Sequence, residues 1–67
     1  MEWRTGRISS RPEGGPGYLT KLEDGKWYAY ETDADGDLLQ GFPKLREAPF
    51  RNLKEAQRWI EDLYTGD

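Results

Sequence analysis

Acidic side chains recur at alternate positions around a single glycine in ETDADGDLL, residues 31 to 39. Against the calcium-loop pattern of EF-hands, Glu31, Asp33 and Asp35 take the first, third and fifth loop positions and Gly36 the glycine at the sixth. Such a loop gathers hard carboxylate oxygens around a cation and ends in a bidentate glutamate at its twelfth position. Here that position is Phe42, and the flanks are strand-like where helices are required. A hairpin turn accounts for the glycine, the aspartates and the period of two together, so no metal site is assigned. The carboxylates of Asp33, Asp35 and Asp37 then either solvate the turn or form an acidic knob that docks a basic patch on a partner.

Other chemistry lacks its parts. The chain of 67 residues has neither histidine nor cysteine, which removes imidazole acid-base catalysis, thiol nucleophiles, disulfides and ordinary zinc sites. The hydroxyls of Thr5, Ser9, Ser10, Thr20, Thr32 and Thr65 have no base motif beside them, and GGPG at 14 to 17 is not followed by the Lys-Ser/Thr of a phosphate loop. So short a chain also offers little wall for a substrate cleft. The expectation is a protein that is not an enzyme and uses no cofactor.

The net charge of −3 is unevenly spread. Arg4, Arg7, Arg11 and Lys21 outweigh Glu2 and Glu13 in the first third, whereas Lys26 stands alone against Glu23, Asp24, Glu31, Asp33, Asp35 and Asp37 in the middle. No apolar run of about 18 residues exists, and MEWRTGRISS lacks the apolar stretch of a signal peptide. The reading is a soluble, cytoplasmic protein that does not contact membranes.

Packing must come from a few large side chains, because the hydrophobic fraction is 34% and includes three Trp, four Tyr and two Phe. Residues 1–17 are read as a flexible or edge-strand segment: EWRTGRIS is either a short strand anchored by Trp3 and Ile8 or a frayed end, and RISSRPEGGPG resists regular structure. Residues 18–67 form a single β-β-β-α domain. The dipeptides Asp24-Gly25 and Asp35-Gly36 predict tight hairpin turns joining strands at 18–23, 26–33 and 37–42. That pairing places Tyr18, Thr20, Leu22, Trp27, Ala29, Leu38 and Phe42 on one face and Leu19, Lys21, Tyr28, Tyr30, Thr32 and Leu39 on the other. After a connection at 43–49, Asn52 is a helix N-cap, Glu55 stands where a reciprocal cap belongs, and Leu53, Ala56, Ile60 and Leu63 recur at helical spacing, widened by Trp59 and Tyr64, with Gly66 as the stop. The fold class is therefore α+β, a three-stranded antiparallel meander, with or without an N-terminal edge strand, packed against one C-terminal helix. The helix would bury Leu22, Trp27, Ala29 and Phe42 against Ala56, Ile60 and Leu63, leaving the second sheet face open.

That open face would carry Tyr28 and Tyr30 beside Lys21 and Lys26, aromatic rings next to cations as on single-strand nucleic-acid platforms, with Leu39 favouring a protein contact. Half-exposed tyrosines are equally ordinary strand residues. Arg51, Lys54 and Arg58 form a basic helix stripe, with Arg51 and Lys54 at the positive end of the helix dipole, against its preference.

GKWYAYETDADGDLLQGF followed after a spacer by FRNLKEAQRWIEDL resembles the small N-terminal arm-binding domains of tyrosine integrases. In these a Trp and a small residue on one strand meet a helix introduced by Phe-x-x-x-x-Glu-Ala, here Trp27, Ala29, Phe50, Glu55 and Ala56. The resemblance implies DNA contact at Lys21, Lys26, Tyr28 and Tyr30 and an accessory protein of a phage or mobile element. Against it, DLLQGF has no basic residue and the net charge is negative, while phosphate contacts from Lys and Arg supply most non-specific DNA affinity. The first expectation is thus a non-catalytic protein-interaction module, a small accessory or regulatory factor acting through the open sheet face and the acidic hairpin. A DNA-binding module of the integrase-arm type comes second, and a structural subunit third. The partner expected is another protein, with nucleic acid the alternative, and the chain a monomer or weak homo-oligomer.

Overall fold

A computed structural model describes residues 2–13 and 17–65. Four strands, β1 (Trp3–Thr5), β2 (Ser9–Pro12), β3 (Tyr18–Glu23) and β4 (Lys26–Glu31), form one antiparallel sheet in sequence order, followed by the helix α1 (Leu53–Thr65). This is the expected α+β class, with the N-terminal segment contributing strands of its own. The Gly66 stop and most of GGPG lie outside the described residues.

The β3–β4 hairpin forms as Asp24-Gly25 dictates. Both residues take positive φ, 52° and 76°, the backbone of a type I′ turn, and six residue pairs from Tyr18↔Glu31 to Glu23↔Lys26 follow. Asn52 caps α1, its Oδ1 accepting the Glu55 N–H at 2.9 Å.

β2 arises where a loop is expected, because long-range bonds outweigh the local preference of serine and proline. The buried Ser10 meets the Thr5 hydroxyl at 2.8 Å, accepts Gln57 Nε2 at 3.1 Å, and gives its carbonyl to Thr20 Oγ1 at 3.1 Å. Pairing with β3 stops at Ser10↔Thr20, since Pro12 has no N–H to continue it.

The strand expected at 37–42 does not form. A single bridge joins Thr32 to Leu38, after which Gly41 and Phe42 both take positive φ, 88° and 49°, and Phe42 N–H bonds the Leu39 carbonyl. The chain reverses and returns beside β4 through Tyr30↔Lys44 and Trp27↔Phe50 bridges. Consequently Phe50, and not Phe42, joins Ala29, Ala56 and Ile60 in the core, flanked by Trp3, Tyr18, Trp27, Leu45, Trp59 and Tyr64. Leu63, also expected in the core, is 41% exposed.

Candidate interaction surface

The acidic segment is built around one side chain. Asp33 Oδ1 accepts the backbone N–H groups of Asp35 at 2.9 Å and Asp37 at 3.0 Å, while the backbone of Asp33 bonds Asp37 O and receives Gly36 N–H. These bonds make a wider loop than the two-residue turn expected, with Gly36 at φ 87°. Asp35 and Asp37 are exposed, Asp33 half-buried. Among the described residues no group of three or more carboxylates is arranged to hold a metal ion.

The loop folds back toward the sheet. A side chain at Gly36 would come within 3.1 Å of the Arg11 guanidinium on β2. Lys21 Nζ on β3 lies 5.8 Å from the centre of the Phe42 ring, and Lys44 Nζ lies 4.1 Å from the centre of the Tyr28 ring on β4. The segment from Asp33 to Lys44 therefore spans the sheet face away from the helix, which was expected to be open. Leu19 and Tyr30 on that face are only 3% and 2% exposed.

Of the expected sheet surface, Lys26 alone stays exposed. Tyr30 is withdrawn: its hydroxyl bonds the Glu23 carboxylate, and burial, reinforced by that bond, pushes its pKa up to about 12. Tyr28 is half-buried beneath Lys44, and Leu39 is half-buried. Lys26 is exposed opposite Glu23, and Lys21 is half-buried against Phe42. Of the expected basic helix stripe, Lys54 and Arg58 lie on α1 and Arg51 precedes its Asn52 cap; all three are exposed, and Lys54 and Arg58 with Gln57 and Glu61 line a shallow groove of about 400 Å³.

Sequence reasoning missed the exposed Phe42. The residue is 60% exposed although it sits in the left-handed region, where a bulky side chain costs about 1–2 kcal/mol relative to a relaxed backbone. The Gly-Phe-Pro run at 41–43 was its available signal, because glycine and proline around an aromatic mark a turn rather than a strand. The clamp formed by Arg46 was missed too. Its guanidinium lies 3.7 Å from the Phe50 ring centre and donates to the Ala48 and Pro49 carbonyls, fixing the return of the chain to α1.

The hydroxyls of Thr5, Ser10, Thr20, Thr32 and Thr65 bond other hydroxyls or backbone carbonyls, so none is oriented against a carboxylate base. No helix among the described residues is long and apolar enough to cross a membrane. Compared with protein-family models, curated proteins and solved structures, the chain gives no significant match.

Proposed function

We propose that this chain is a non-catalytic protein-interaction module, a small accessory or regulatory factor that meets its partner through the surface around Phe42. The observation that carries this reading is a phenylalanine 60% exposed at a φ of 49°. Folding alone favours glycine or asparagine at such a backbone position and gains little from a ring left in water. An aromatic anchor with a cation beside it, here Lys21, on a segment that also carries the exposed Asp35 and Asp37, has the composition of a contact centre with a polar rim.

The integrase-arm reading has less to stand on. It uses Lys21, Lys26, Tyr28 and Tyr30 as a DNA-facing set, whereas Tyr30 is buried and Lys44 covers Tyr28. The two readings separate in one experiment: affinity capture from host extract with wild type and Phe42→Ser, each with and without nuclease. The proposal expects a defined protein captured by wild type, retained after nuclease and lost with Phe42→Ser. Capture that survives the substitution, or disappears only with nuclease, contradicts it.

A further inference from the structure

β1 ends the sheet, and no strand lies against its outer side among the described residues. Antiparallel strands turn alternate residues' backbone groups toward their partner. Glu13 N–H bonds Glu2 O at 2.9 Å and Gly6 N–H bonds Ser9 O at 2.8 Å, which sets the phase: Glu2, Arg4 and Gly6 face β2. The N–H and C=O groups of Trp3 and Thr5 therefore point outward, free to pair.

The same two residues are tied to α1 by their side chains. Trp3 Nε1 donates to Glu61 Oε2 at 2.8 Å, and Thr5 Oγ1 meets Ser10 Oγ, which receives Gln57 Nε2. Moving from Thr5 to Trp3 on β1 thus moves from Gln57 to Glu61 on α1, so strand and helix run antiparallel at this place. Two strand residues advance about 6.8 Å and one helical turn about 5.4 Å, so the two ladders stay nearly in step. Gln57 and Glu61 are engaged in these bonds. Glu61 keeps its negative charge there, since the indole N–H is a neutral donor, but Lys54 and Arg58, both exposed and neither paired with a carboxylate among the described residues, leave the groove net positive.

We infer that the β1 edge and the groove together take an extended acidic segment of a partner protein. The segment adds to the sheet on the backbone of Trp3 and Thr5 and sets alternate carboxylates over Lys54 and Arg58. Backbone pairing supplies affinity and the two cations supply the selection for acidic residues. This surface is separate from that around Phe42, and the inference does not rest on the reading of that residue.

The probe is a fluorescently labelled seven-residue peptide of alternating Val and Glu, with Lys replacing Glu in the control, followed by polarisation. Saturable binding of the Glu peptide alone is expected, weakened at least about tenfold by Lys54→Gln/Arg58→Gln and unchanged by Phe42→Ser. Thr5→Pro removes an outward N–H and abolishes binding while a thermal melt confirms the fold; should it fail to fold, a Glu peptide N-methylated on its pairing edge gives the same loss with wild type. Equal binding of the Lys peptide, equal binding by the double variant, or retained binding of the N-methylated peptide overturns the inference. So does a labelled single-stranded DNA that binds through Lys54 and Arg58 where the Glu peptide does not.

Discussion

The ammonium of Lys44 sits 4.1 Å from the centre of the Tyr28 ring, and this pair fastens the returning chain over the sheet face away from the helix. Its strength is that of a partly exposed cation–π contact, about 0.5–1 kcal/mol. Lys44→Gln should lower the urea unfolding free energy by that amount, and Lys44→Arg should restore most of it.

The Asp33 carboxylate is engaged by the backbone of its own loop. Removing it in Asp33→Ala leaves two N–H groups without their acceptor and should cost about 1–2 kcal/mol, whereas Asp35→Ala and Asp37→Ala should stay within about 0.5 kcal/mol of wild type. Millimolar calcium should leave the melting temperature of wild type unchanged, because a cation that does not bind the native state cannot stabilise it.

Tyr30 gives stability a marked alkaline limit. In the unfolded chain its hydroxyl ionises near the ordinary value of 10.0, but in the folded chain burial and the bond to Glu23 hold it to about 12. Below about pH 10 both states keep the proton, so nothing is lost. As pH rises from about 10 toward about 12 the unfolded state has released a proton that the folded state still retains, and about 2–3 kcal/mol of stability disappears across that window. Burial of Tyr64 raises its pKa as well and adds to the loss with the same sign. Denaturant midpoints measured across this range should fall more steeply for wild type than for Tyr30→Phe.

The two phenylalanines should separate cleanly in stability. Phe50 packs against Ala29, Ala56, Ile60 and the Trp59 ring, whose centre lies 5.6 Å away, so Phe50→Ala should cost about 3–5 kcal/mol. Phe42→Gly relieves a left-handed backbone and gives up little burial, so it should show no net loss of stability.

That contrast also shows what the sequence could reveal. Asp24-Gly25 and Asn52 act within a few residues of themselves, so the β3–β4 hairpin and the start of α1 were legible, as was the face of β4 that carries Trp27 and Ala29. β2 was not, because Ser10 is held by Thr5, Thr20 and Gln57, partners set by the tertiary fold and invisible to local propensity. A period of two put Phe42 on the core face by extending a strand through Gly41. The same extension left Tyr28 and Tyr30 uncovered and made them the expected contact surface. Lys54 and Arg58 were recognisable as a stripe, but the bonds that tie their neighbours Gln57 and Glu61 to β2 and β1 were not.

The claim that Phe42 marks the partner surface is tested most directly by placing a photo-crosslinking phenylalanine analogue at position 42 and, separately, at position 51, exposed just before the helix. Irradiation in host extract should give a discrete protein adduct from position 42 and none of the same mass from position 51. Adducts from position 51 alone, or nuclease-sensitive adducts from position 42, would contradict the account.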